Sequence, residues 1–105
     1  MTTPLTAAEF EAALQADLPL LVDFYADWCG PCRMMTPVVE QIAVEKAGKV
    51  TVRSLDVDAE SAIARRYTVM SIPSLILFKK GQVADKLVGY PGPARVRAWL
   101  DAQLA

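Results

Sequence analysis

The chain contains no histidine and only two cysteines among its 105 residues. Without histidine there can be no Cys–His nucleophilic pair and no zinc site with an imidazole ligand. Two cysteines are too few for the disulfide framework of a small secreted domain. One Cys-x-x-Cys also supplies only two of the four ligands of a structural zinc, so a metal site would need two chains or help from carboxylates. An excess of one charge is absent as well: 11 Lys+Arg stand against 12 Asp+Glu, for a net charge of -1. A nucleic-acid surface needs a basic stripe, and the pairs Arg65-Arg66 and Lys79-Lys80 read as solvated faces. No apolar run is long enough to cross a membrane. Met1–Leu5 has neither a basic residue nor the apolar stretch of a signal peptide. The expectation is a protein that stays in a reducing cytoplasm, where a close cysteine pair serves redox chemistry or metal binding rather than cross-linking.

What is present suffices for one domain over residues 1–105. The chain is 53% hydrophobic, and a domain near this size buries about 60–70% of its unfolded surface. No internal repeat, low-complexity segment or linker interrupts it. Thr6-Ala7-Ala8-Glu9 has the pattern of a capping box. It opens a helix with Phe10 and Leu14 inward, which Pro19 should close. Residues 20–26 have almost no polar alternation, as in a strand covered on both faces. A helix from near Cys29 to about Ala47 follows, with Val38, Ile42 and Val44 inward and Gly48 at its end. Pro37 lies inside it and should bend it.

Val50–Val57 is β-branched and reads as a strand. Asp58 is placed to cap a short helix reaching Tyr67. Ser74–Lys79 and Val83–Val88 form a hairpin about Lys80-Gly81-Gln82. Pro93 suits the first turn of a last helix, on which Val96, Trp99, Leu100 and Leu104 share a stripe. The order α-β-α-β-α-β-β-α predicts an α/β fold with one parallel crossover and a closing antiparallel hairpin.

The two cysteines fall where the buried strand ends and a helix begins, in Trp28-Cys29-Gly30-Pro31-Cys32. A helix N-terminus offers unpaired N–H groups and the positive end of the macrodipole. A thiolate is stabilised there, and the thiolate is the species that attacks disulfides.

With Val22-Asp23-Phe24, Pro37, Ile72-Pro73, Phe78 with Gly81, and Val88-Gly89, this motif resembles the thioredoxin family, in that family's order and over nearly the whole chain. The resemblance implies the thioredoxin fold, a mixed central sheet of four to five strands flanked by four helices. It implies a monomeric general protein disulfide reductase, acting on disulfide-containing proteins and recharged by a thioredoxin reductase. No cofactor is expected beyond the redox-active Cys29–Cys32 pair. Cys29, nearer the strand and more exposed, is the expected nucleophile; a buried inert thiol is the alternative. Cys32, one turn into the helix, is the expected resolving thiol. Its attack is intramolecular and therefore fast.

Asp23 stands in an apolar run, where an ionised group is costly and desolvation raises the pKa. An Asp at a strand edge facing water is the other reading. By resemblance it is buried behind Cys32 and exchanges a proton with it through water. The resemblance also implies a cis Ile72–Pro73 bond that presents the Ile72 backbone for strand-like pairing with a substrate. Trp28, Gly30, Pro31, Met70, Ile72, Pro73, Val88 and Gly89 would line the groove, unless Met70 fills the core instead.

The chain departs from the family's common residues at Tyr25 (often tryptophan), Ser54 (often lysine, near the buried Asp), Ser71 (often glycine) and Arg33 (often lysine). Loss of that lysine should leave Asp23 without a cationic partner. The family's first strand should shrink to two or three residues near Thr3–Leu5, and Tyr90 in the stiff Tyr90–Pro93 loop should wall the groove. Rival functions are a thiol oxidant or isomerase, a binding or chaperone subunit with incidental redox activity, and a metal-bridged dimer. Gly30-Pro31 and the lack of an export signal favour the reductase over the first of these.

Overall fold

Strand β1 (Leu20–Tyr25) is the centre from which the molecule is built: all but its last residue are buried. The computed structural model describes residues 3–105. In chain order the other elements are α1 (Ala7–Leu14), α2 (Gly30–Glu45), β2 (Thr51–Asp56), α3 (Ser61–Arg66), β3 (Ser74–Lys79), β4 (Gln82–Val88) and α4 (Pro93–Leu104). Among the described residues the sheet has four strands in the order β2-β1-β3-β4. β1 runs parallel to β2 and antiparallel to β3, and β3 and β4 form the hairpin. This is the mixed sheet that the element order predicts.

Side-chain alternation along β1 divides the core in two. Leu20, Val22 and Phe24 face Phe10 and Leu14 of α1 and Ile63 of α3, together with Ile76 and Phe78 of β3. On this side Phe10, Tyr67 and Phe78 meet edge to face, with centroids 5.0–5.8 Å apart. Leu21 faces the other way, with Leu75 and Leu77, toward Val38, Val39 and Ile42 of α2 and Val96 and Leu100 of α4. Arg97 pairs with Glu45, and Lys46 with Asp101 at 2.7 Å, so α4 is also clasped to α2. Such exposed pairs contribute at most about 1 kcal/mol each; apolar contact is what fixes the helices.

Local chemistry accounts for most boundaries. Thr6 Oγ1 accepts from the Glu9 amide at 3.1 Å and the Glu9 carboxylate accepts from the Thr6 amide at 2.9 Å, the capping box read from the sequence. Lys80 and Gly81 have φ of 53° and 78°. Both central residues of the two-residue hairpin turn are thus left-handed, at no steric cost for Gly81.

Several expectations are corrected. α1 stops at Leu14, well before Pro19, because the Gln15 amide folds back to the Ala12 carbonyl in a tightened turn. α2 stops at Glu45, and Val44 is 79% exposed rather than inward. At about 100° per residue, Val44 lies some 200° round from the buried Ile42. Asp58 does not cap α3, which begins after Glu60. Instead Asp56 Oδ1 accepts the amides of Asp58 and Ala59 in a local turn. Thr3–Leu5 is not a strand; its one sheet-like bond runs from the Leu5 amide to the Ser54 carbonyl at 2.8 Å. Tyr90 is half-buried and packs against the α2–α4 core.

Candidate active site

Cys29 is the N-cap of α2, with Pro31 in the first turn. Proline there loses no helical hydrogen bond, since its missing N–H would have been an orphan. The cap is a sulfur: Cys29 Sγ accepts the amide N–H of Cys32 at 3.2 Å. The loop ahead of it is held by Arg33, whose guanidinium donates to the Asp27 carbonyl at 2.7 and 3.2 Å. The two cysteines form a disulfide across a Cα–Cα distance of 5.3 Å, within the usual range for the bond.

Burial ranks the two sulfurs as expected but less widely: Cys29 is 5% exposed and Cys32 1%. Both pack on Ala26, with Tyr25, Val57 and Ile72 around them. Cys29 Sγ lies 3.8 Å from the Ile72 carbonyl oxygen, close enough for a weak S–H donation once the disulfide is reduced. The Ile72–Pro73 bond is cis. The pairing of Ser74 with Val88 brings the end of β4 alongside, and the Gly89 amide donates to the Pro73 carbonyl at 2.8 Å. Ile72, Pro73, Val88 and Gly89 are therefore gathered at the sulfurs' side of the sheet.

The expected groove residues differ in exposure. Trp28 is 69%, Met70 87% and Val88 62% exposed, so Met70 is no part of the core. Gly30 and Pro31 are exposed, Ile72 and Gly89 half-buried, and Pro73 buried beneath them. Trp28 would be a loose ring but for Asp58, whose carboxylate accepts its indole N–H at 2.8 Å. Sequence reasoning assigned Asp58 to a helix cap and missed this bond, which joins residues thirty positions apart.

Asp23 is 3% exposed, and its Oδ1 has no hydrogen-bond partner. Burial alone pushes its pKa from 3.8 up to about 7. It pairs across the sheet with Ser54 and lines a cavity that also touches Tyr25 and Thr36. Burial, then the nearby carboxylates of Asp56, Asp27 and Asp23, raise the pKa of Tyr25 as well. Thr36 was not singled out from the sequence. Its hydroxyl donates to the Cys32 carbonyl at 3.0 Å while its residue borders the Asp23 cavity, so it connects the two. The i, i+4 spacing from Cys32 is the signal that could have found it. Among the described residues no cluster of three or more Cys, Asp or Glu is placed to hold a metal ion, and no helix is long and apolar enough to cross a membrane.

Comparison with known proteins agrees with the geometry. The thioredoxin family model matches residues 1–102. A thioredoxin of Alicyclobacillus acidocaldarius is 50% identical over 104 residues, covering 99% of this chain and 95% of that protein. A thioredoxin of Mycobacterium tuberculosis is 50% identical over 94 residues, covering 89% and 81%. One of Staphylococcus aureus is 44% identical over 100 residues, covering 95% of each. With a cysteine pair at the start of α2 and likeness along nearly its whole length, the chain belongs to the thioredoxin family.

Proposed function

We propose that the chain, a thiol–disulfide oxidoreductase by family, reduces protein disulfides through a mixed disulfide on Cys29. The reduced Cys29 thiolate attacks one sulfur of a substrate disulfide and expels the other, which takes up a proton. Cys32 then loses its proton and attacks Cys29 Sγ. The substrate's second sulfur leaves as a thiolate, and the Cys29–Cys32 disulfide closes. Two electrons pass to the substrate, and a thioredoxin reductase returns them to the pair. The observation that carries this reading is the Cys32 amide aimed at Cys29 Sγ at 3.2 Å. That N–H, at the positive end of α2, favours the anion over the neutral thiol.

The remaining roles follow from position. Asp23, neutral or charged near neutral pH, is suited to take the Cys32 proton, with water in its cavity as the carrier. The exposed Trp28, Met70 and Val88, with Gly30 and Pro31, offer an apolar rim. The Ile72 carbonyl offers a backbone acceptor, and Pro73 and Gly89 shape the floor. Backbone pairing ignores side chains, so such a groove accepts many sequences. The protein would work as a monomeric single domain over residues 1–105 in the cytoplasm, its size checked on a sizing column.

The test is a pair of variants. Cys32→Ser should form a stable mixed disulfide with an insulin-type substrate on a non-reducing gel, while Cys29→Ser should form none. Both should abolish NADPH consumption in the presence of thioredoxin reductase and insulin. Equal trapping by both variants would remove the assignment of the two sulfurs, and trapping by Cys29→Ser alone would reverse it.

A further inference from the structure

The cavity beside Asp23 has a second reading, which goes beyond the proton exchange proposed above. Its volume is about 80 Å³, where about 10–15 Å³ on the same measure holds one water. At one end is the Asp23 carboxyl, almost wholly buried, with an oxygen that accepts no hydrogen bond. Thr36 and Ser54 add hydroxyls, Glu40 adds a second carboxylate, and Val39, Ala43 and Val52 add apolar wall. Arg53 also borders it, but pairs with Val22, whose side chain belongs to the opposite face, and its Nη2 donates to the Thr3 carbonyl at 3.2 Å. The guanidinium is therefore not the partner that the carboxyl lacks.

We propose that this cavity binds a short primary alkylammonium, its nitrogen on the Asp23 carboxylate and its chain against Val39, Ala43 and Val52. An anion would meet two carboxylates. A neutral apolar guest would leave the Asp23 oxygen bare, which a buried acceptor tolerates poorly. A divalent cation wants six or more oxygens, and the walls are mostly hydrocarbon. An ammonium has three donors on a compact charge, enough for the carboxylate and the two hydroxyls. A free amine and the lysine side chain of a docked protein share this chemistry.

The test is an amide-shift titration of the oxidised protein at pH 8 with n-propylammonium, and with 1-propanol as the neutral isostere. The expected result is saturable shifts at Asp23, Val39, Ala43, Val52 and Ser54. Half-saturation should fall in the millimolar range that about four heavy atoms allow. Binding should be at least about tenfold weaker for propanol, and tenfold weaker in Asp23→Asn. Ala43→Leu, which fills the cavity and keeps the carboxyl, should abolish it. A lysine derivative blocked at both backbone ends identifies the source. If it binds as tightly as the free amine, a partner's lysine is the occupant; if it fails where propylammonium succeeds, a free amine is. Shifts that stay linear, equal affinity for propanol, or unchanged affinity in both variants would overturn the proposal.

Discussion

On the α1–α3 face of the sheet, β1 presents Leu20, Val22 and Phe24 to an apolar cluster that includes Phe10 and Phe78. On the α2–α4 face the same strand presents Leu21 and then Asp23, a buried carboxyl with a bare oxygen over a cavity of about 80 Å³. The two faces alternate residue by residue along one backbone, so neither can shift without the other. Apolar packing on both faces fixes the strand, and the fixed strand holds a costly group in place beside the cavity. Alternation thus lets one short strand carry an apolar face and a buried acid at once.

The largest effect expected from breaking this arrangement is on the α1–α3 face. Phe78 is 1% exposed and meets Phe10 and Tyr67 edge to face. Phe78→Ala should lower the unfolding free energy by about 5 kcal/mol, the upper end for a buried phenylalanine, since aromatic contacts are lost with the buried area. Urea unfolding measures it. A loss under about 2 kcal/mol would mean that this face relaxes and does not anchor the strand.

The Asp23 site on the other face should respond in the opposite direction and with pH. Burial holds the Asp23 pKa near 7 against 3.8 when unperturbed. An acid with a raised folded-state pKa binds an extra proton in the native state. Stability is therefore lost as pH rises from about 4 to about 7, and the loss then levels off. Three pKa units correspond to roughly 4 kcal/mol. Asp23→Ala lacks this linkage, so its stability relative to wild type should improve by roughly that amount between pH 4 and pH 8. It should also turn over substrate more slowly. Parallel stability–pH curves would mean that Asp23 is hydrated or paired in solution.

A smaller perturbation tests whether the faces are separable. Thr6→Ala removes the side-chain half of the α1 capping box, at about 1 kcal/mol. The variant should unfold earlier in urea, with the Asp23 titration and the reductase rate unchanged. A shifted titration would show that α1 reaches the chemistry through β1.

Much of this was legible in the sequence because it is local or periodic. The capping box, the both-faces-buried strand, the stripe of Val96 and Leu100 and the cysteine pair at a strand–helix junction each lie within one window of the chain. Gly81 marked the hairpin turn for the same reason. Asp23 was legible as an anomaly, a carboxylate in an apolar run. Its cavity was not, because residues of β1, β2 and α2 line that space together. Val44 was misread because an apolar residue near a helix end is not always on its buried stripe. Asp58 was misread because it has the chemistry of a cap and sits just before a helix, while its actual partner is distant in sequence.

Asp58 gives the smallest expected effect and separates the two readings of that residue. A cap would make Asp58→Ala cost about 1 kcal/mol of stability. The observed bond to the exposed Trp28 ring instead predicts stability within about 0.5 kcal/mol of wild type, as for other surface changes. Freed of its anchor, the ring should lose orientation at the groove. KM for a protein disulfide should then rise about two- to five-fold, the equivalent of one ordinary hydrogen bond, with kcat unchanged. The cysteines and Asp23 belong to α2 with its cap and to β1, whereas the Asp58 carboxylate bonds to Trp28, outside both elements. A fall in kcat with constant KM would place Asp58 in the proton traffic of the cysteines and enlarge the working face to include the loop after β2.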